Sequence, residues 1–420
     1  LKSYKFPIRK YSCSRYDCSV CKSALLALLN KPAAFFRRNE LKRLARPLHL
    51  GFSGNRRTVG SNCIRQTGEK QMKFELFQEC QTATRDYYNR YWQMLKEVEL
   101  ADELGWDSYG MSEQHFTPVE YSSGCPEIFF TAVAMRTKKI RIRQGIVLLL
   151  KAVNHPLKIA ERIGMMDIMS NGRMDLGTGR GNKLGMLKAF EVPLEETRQQ
   201  WEEALEMIPK IWTEETFSWD GKFYHIPPTV VNPKPIQKPH PSLWTATTSP
   251  EMYELAGQKG IGVLCFDFTS PDKTAKNVEI YRKSIKTAKP VGSFVTNGVA
   301  ILTMGLCAET TEYARRLAKE PMMAFISEAG RIYAELAATK VKSYQYMGKQ
   351  LAEAAAHPEF EYLCDDATLV VGDPEECIKK LRLYQQAGAD QVIIRMDGMP
   401  HQKQMDSIRL FAEHVFPALR

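Results

Sequence analysis

No run of apolar residues in this chain of 420 approaches the roughly 20 that a helical membrane span requires; the longest are Ala24 to Leu29 and Ile146 to Leu150. That excludes a helical membrane protein and leads to the expectation of a soluble, cytoplasmic one. Paired cysteines are missing as well. Cys80, Cys125, Cys265, Cys307, Cys364 and Cys377 stand singly among apolar neighbours, as free buried thiols do in a reducing compartment. The chain's 18 methionines all lie from Met72 onward, so residues 1–71 hold none. Outside that same segment a basic excess is missing too: residues 1–71 hold 16 Lys/Arg against 3 Asp/Glu, and the remainder holds 42 against 45. The formal charge of +10 thus makes no case for nucleic-acid binding by the body of the chain. Residues 1–71 are read as a basic extension outside the native fold, and residues 72–420 as one domain. A transit peptide is the second reading of the extension, because it is Arg-rich and acid-poor. A zinc site from Cys13, Cys18, Cys21 and Cys63 is the third, since their spacing matches no standard structural site.

What is present is concentrated between Ser170 and Asn182, in Ser-Asn-Gly-Arg-Met-Asp-Leu-Gly-Thr-Gly-Arg-Gly-Asn. Asn171-Gly172 is a turn signal and Met174 to Leu176 a short strand, after which Gly177, Gly179 and Gly181 alternate around Thr178 and Arg180. This predicts a strand that delivers a flexible, amide-rich loop able to approach a phosphate, with the Arg180 fork beside it. An ordinary glycine-rich turn is the competing reading. The stretch is not a dinucleotide fingerprint, because Asn182 stands where a third glycine belongs, and no such fingerprint occurs elsewhere in the chain.

Strand and helix alternate along the body. Strands are expected at Lys73 to Phe77, Ser108 to Met111, Ile140 to Leu150, Met174 to Leu176, Ser242 to Ala246, Ile261 to Phe266, Phe294 to Met304 and Gln391 to Arg395. Helices fall between them, one stopped by Gly105 and one opened by Pro156. Another begins at Asp373-Pro374, with Glu376 completing a capping box. A hairpin around Asp220-Gly221 and a proline-rich connector, Pro227 to Pro241, form an excursion. Thr310 to Pro358 carries helices without a strand and reads as an insertion that covers the site. Eight β/α units make the fold class α/β, a TIM barrel with insertions, whose site lies at the C-terminal ends of the strands. His115 follows strand two, Arg180 strand four, and Thr248 and Ser249 strand five, so all face one mouth. Thr248 and Ser249 open a helix at Pro250, a second phosphate site or a plain N-cap.

The motifs Met72-Lys73-Phe74, Glu113-Gln114-His115-Phe116, Asn154-His155-Pro156, Ser170 to Gly181 and Arg409-Leu410-Phe411-Ala412-Glu413 occur in an order and spacing that resemble the bacterial luciferase-like, flavin-dependent monooxygenases. The resemblance covers Met72 to Arg420 and implies the same eight-stranded barrel. It implies reduced FMN at the mouth, its phosphate held by Gly179, Arg180, Gly181, Thr248 and Ser249. It further implies reaction with O2 through a C4a-peroxyflavin to oxygenate a small apolar substrate, with His115 as the catalytic residue at the flavin's reactive edge. A separate flavin reductase is the implied partner, no metal is expected, and a homodimer or larger assembly is the family expectation. Two departures argue against light emission: Gln114 stands at the first of two adjacent luciferase histidines, and Gly179 at the luciferase cysteine. Tyr121, Trp219, Phe223 and Tyr344 are candidate apolar contributors to the substrate pocket. The alternatives are a deazaflavin-dependent hydride-transferring enzyme on the same barrel and a non-catalytic flavin-binding protein.

Overall fold

The computed structural model describes residues 71–420, apart from 83, 117–121, 267–268 and 356–358. The readings of the basic extension and its four cysteines, and of Tyr121, therefore fall outside the described residues.

Eleven strands occur among the described residues. They are β1 (Lys73–Gln78), β2 (Ser108–Met111), β3 (Arg141–Leu148), β4 (Met174–Gly179), β5 (Phe217–Asp220), β6 (His225–Thr229), β7 (Leu243–Thr247), β8 (Gly262–Cys265), β9 (Val299–Cys307), β10 (Leu369–Gly372) and β11 (Gln391–Arg395). Eight close a parallel ring in the order β1, β2, β3, β4, β7, β8, β9, β11 and back to β1. The register runs Leu76 to Tyr109, Gln144 to Leu176, Thr245 to Val263 and Ile393 to Leu302. Because helices cover the outside and side chains fill the inside, the strands are buried on both faces; all nine residues of β9 are buried.

Local chemistry explains the punctuation. The helix Tyr87–Leu104 starts where the Asp86 carboxylate accepts from Asn89 N, and it stops at Gly105, whose φ of +81° a side chain would disfavour. Its buried Asp102 accepts from the amides of Lys138, Lys139 and Ile140 at 2.9, 2.7 and 2.6 Å, which ties this helix to the entry of β3. Asp373 caps the helix Pro374–Gln386 through Glu376 N at 3.0 Å, but the expected reciprocal arm is absent. The Asp373 amide donates instead to Thr311 Oγ1 at 3.1 Å, and the Glu376 carboxylate pairs with Lys379 and Lys380.

The structure corrects three further boundaries. The glycine run is mostly strand: Gly177, Thr178 and Gly179 belong to β4, so the loop proper begins at Arg180. There the glycines answer crowding, because a Cβ on Gly177 would collide with the Gln144 carbonyl and one on Gly179 would lie 2.6 Å from Ile146 Cδ1. β9 starts at Val299, leaving Phe294 and Val295 partly exposed, with the Phe294 ring stacked on His240. β10 was not anticipated; it pairs only with β9, outside the ring.

The interior is layered along the barrel axis. At the strand starts Arg143 lies 2.9 Å from Glu75 Oε2, 3.8 Å from Asp175 and 4.1 Å over the Trp244 ring. Above this charged plug, Phe77, Leu264, Leu302 and Ile393 form an apolar layer. The cavity opens above that, at the C-terminal ends.

Candidate active site

A cavity enclosing about 1400 Å³ of empty space, part of it open to solvent, occupies the mouth. The insertion helices Thr311–Ala337 and Lys342–Ala355 form one wall through Phe325, Glu328, Ala329, Ile332, Ser343 and Met347. The insertion expected to cover the site thus contributes to the cavity lining.

One half of the cavity is built for an anion. Arg180 leaves the end of β4 with its guanidinium 4.6 Å over the Tyr344 ring, and among the described residues no carboxylate lies within ion-pair distance of it. The two carboxylates that act on it from further off, Glu251 and Glu202, are both held by Arg198, at 2.7 and 3.1 Å. Burial pulls Arg180 below the ordinary arginine range, which marks a cation stripped of water without a matching anion. Thr248 and Ser249, just before the helix Pro250–Gln258, line the same cavity. Ser249 occupies the N-cap position, yet its hydroxyl caps no amide, and Pro250 opens the first turn. Pro250 brings no N–H to that turn and the Met252 amide already donates to Ser249 O at 2.9 Å, which leaves the Glu251 amide and the positive end of the helix dipole. The plain N-cap reading of Ser249 is thus not what the structure has. A phosphate ester fits this donor set: one unpaired guanidinium, free hydroxyls and a helix N-terminus.

The other half is apolar with one polar corner. Phe77, Ile146, Phe266 and Leu302 pack into a continuous wall, with the Phe77 and Phe266 centroids 5.7 Å apart. The corner is Glu79, just past β1. Its carboxylate accepts from Arg395 Nε at 2.9 Å, from Gln114 Nε2 at 3.1 Å and from the Ser112 hydroxyl. Burial alone would raise the Glu79 carboxyl; Arg395, Ser112 and Lys183 outweigh it and hold the group below the ordinary carboxylate range. Lys183, on the loop after β4, is drawn down by burial against the attraction of Glu79 and Glu328. Among the described residues no three His, Cys, Asp or Glu side chains gather into a metal site.

Of the predicted site residues, Gly179, Arg180, Gly181, Thr248 and Ser249 all line this cavity. His115 does not. Its Nε2 lies 2.7 Å from Glu113 Oε1 and its ring meets Phe190 edge-on at 5.1 Å, so Gln114 is the residue of that motif that lines the cavity with Glu113. Glu113 in turn accepts from Leu148 N at 2.9 Å and Asn154 Nδ2 at 2.8 Å, tying the ends of β2 and β3 together. Trp219 and Phe223 also miss the cavity: both lie on the β5–β6 excursion, where the Trp219 indole and the Phe223 amide donate to Glu203. Tyr344 lies beneath Arg180 instead of lining the substrate space. Sequence reasoning passed over Glu79, Gln114 and Arg395 as site residues. Their signal was available, since each is a polar residue at or just past the C-terminal end of a barrel strand.

The family model described as "Luciferase-like monooxygenase" matches residues 72–391. The chain is 26% identical over 363 residues to the oxygenase component of flavin-dependent trigonelline monooxygenase from Acinetobacter baylyi, covering 83% of this chain and 95% of that protein. It is 25% identical over 334 residues to an F420-dependent glucose-6-phosphate dehydrogenase from Amycolatopsis mediterranei, covering 76% and 92%. Among solved structures, monooxygenase RslO1 from Streptomyces bottropensis matches with a TM-score of 0.69 and 26% identity, covering 82% of this chain and 99% of that one.

Proposed function

The chain belongs to the luciferase-like monooxygenase family, and from that premise we propose that its domain, residues 72–420, is the oxygenase of a two-component system that takes reduced FMN from a separate reductase. The observation that carries this reading is the half-buried Arg180, without a carboxylate partner among the described residues, in the same cavity as the uncapped helix start at Ser249. Bound there, reduced flavin supplies the electrons that activate O2 for insertion of one oxygen atom into a small apolar substrate.

The residues divide the remaining work. Arg180, the Gly181 backbone, Thr248 and Ser249 hold the phosphate. The Phe77, Ile146, Phe266 and Leu302 wall excludes water from the reacting end, and the insertion helices supply a further wall of the same space. Glu79, kept ionised by Arg395, orients the Gln114 amide at the cavity surface. Gln114 is then the group available to donate or accept at the reacting atoms. His115 becomes a positioning residue that acts through Glu113.

A second reading, hydride transfer from a reduced deazaflavin, draws support from the comparable identity to the dehydrogenase. A phosphate subsite serves either coenzyme, so affinity separates them. Anaerobic titration with reduced FMN and with reduced deazaflavin is expected to show tighter binding of FMN by tenfold or more. The reverse order would move the enzyme to hydride transfer.

A further inference from the structure

The helix Lys342–Ala355 belongs to the long insertion after β9, yet one of its side chains reaches back to the loop after β4. Tyr344 is fully buried. Its ring lies 4.6 Å from the Arg180 guanidinium carbon. Its hydroxyl donates to the Gly181 carbonyl at 3.1 Å and stands 3.2 Å from Thr197 Oγ1, whose own proton goes to Leu194 O at 2.9 Å. A single side chain therefore touches the cation of the phosphate subsite, the carbonyl of the next residue and the start of the helix Thr197–Thr213, which supplies Trp201 to the same cavity. Around it Leu148, Met186, Leu187, Val192 and Leu336 form a small core separate from the main one. That core seats the insertion on the mouth.

A largely desolvated guanidinium keeps one orientation only if something holds its plane, either a carboxylate at its edge or an aromatic ring on its face. A carboxylate would occupy the N–H edge and compete with an incoming anion. A ring on the face leaves all five donors free for a bidentate phosphate. Arg180 has the ring. We propose that Tyr344 is the positioning residue of the phosphate subsite: it presents Arg180 edge-on to the phosphate and, carried by the insertion, couples seating of that cover to binding of a phosphorylated coenzyme. The inference rests on the reading of the subsite given above. It makes discrimination between phosphorylated and unphosphorylated flavin a property of the insertion as much as of the barrel.

FMN and riboflavin differ only in the phosphate, so the pair isolates the effect. Dissociation constants for both are measured by quenching of flavin fluorescence on the full chain, for wild type, Tyr344→Leu and Tyr344→Phe, each below its melting temperature. Tyr344→Met, whose flexible side chain refills the small core, replaces the leucine variant if that one does not fold. Removing the ring is expected to weaken FMN about tenfold, equivalent to about 1.4 kcal/mol, and to change riboflavin by less than about twofold. The Phe variant keeps the ring and is expected to stay within about threefold of wild type for FMN. An unchanged FMN constant in the ring-less variant, or parallel weakening of FMN and riboflavin, overturns the role of Tyr344 and leaves the subsite standing. A wild-type protein that binds riboflavin as tightly as FMN overturns the subsite and this inference together.

Discussion

Replacing Arg180 by methionine separates a ligand-binding cation from a structural one, because the two roles predict opposite effects on the empty protein. A guanidinium hydrogen-bonded to phosphate is worth about 1.5–3 kcal/mol, so Arg180→Met is expected to raise the FMN dissociation constant by about 10- to 150-fold. The folded protein without ligand should barely notice. Arg180 holds no carboxylate, and what it loses is a face-on contact with Tyr344, worth about 0.5–1 kcal/mol. Against that loss, the cost of keeping a half-buried charge partly away from water disappears. The net change in unfolding free energy is expected to lie within about 1 kcal/mol of zero. Arg395→Met is the contrast, since it strips the partner from buried Glu79 and should cost about 3–5 kcal/mol. Urea unfolding of both variants and fluorescence titration with FMN and riboflavin give all the numbers. An Arg180→Met protein that unfolds as readily as Arg395→Met, or that binds FMN as wild type does, would refute the reasoning.

Three other perturbations follow from the same geometry. Glu79→Gln should destabilise by about 3 kcal/mol at pH 7. Because the Glu79 carboxyl is held below its unfolded value, the stability it contributes is present above the ordinary carboxylate range and lost as pH falls through its folded value. Urea midpoints of variant and wild type should therefore converge in acid, and a gap that widens on acidification would contradict the assignment. Gly179→Ala should cost about 1–3 kcal/mol by pressing on Ile146, and Ile146→Ala in the same chain should recover part of it, a coupling that additive melting shifts would disprove. His115→Asn should leave FMN affinity within about twofold of wild type, because His115 meets Glu113 and not the cavity. A large loss of FMN affinity in that titration would return His115 to direct contact with the coenzyme.

The barrel was legible because its rules are local. All eight ring strands were located from alternation of strand and helix, and Gly105, Pro156 and Asp373 marked boundaries by requirements that neighbouring residues alone impose. Where tertiary crowding decides, local signals mislead. The glycines of β4 look like a flexible loop, yet Gly177 and Gly179 are small because β3 presses against them. The four-residue β10 exists only because β9 extends beyond the ring and offers it an edge. At the site, the phosphate residues were readable as sequence neighbours on two loops. The Glu79, Gln114 and Arg395 corner joins residues up to 316 apart in sequence, and only closure of the ring brings them together. Tyr344 could not be assigned to Arg180 at all, since the docking of the insertion depends on a small core contributed by several separate elements.

The central claim is that this cavity uses reduced FMN to activate oxygen, and the most direct test is to mix the anaerobic complex of protein and reduced FMN rapidly with oxygenated buffer. The signal is the return of oxidised-flavin absorbance. A protein whose apolar wall shields the reacting end of bound reduced FMN from water should impose a lag of seconds before that absorbance recovers. Recovery without a lag, at the rate of free reduced FMN, would contradict the account.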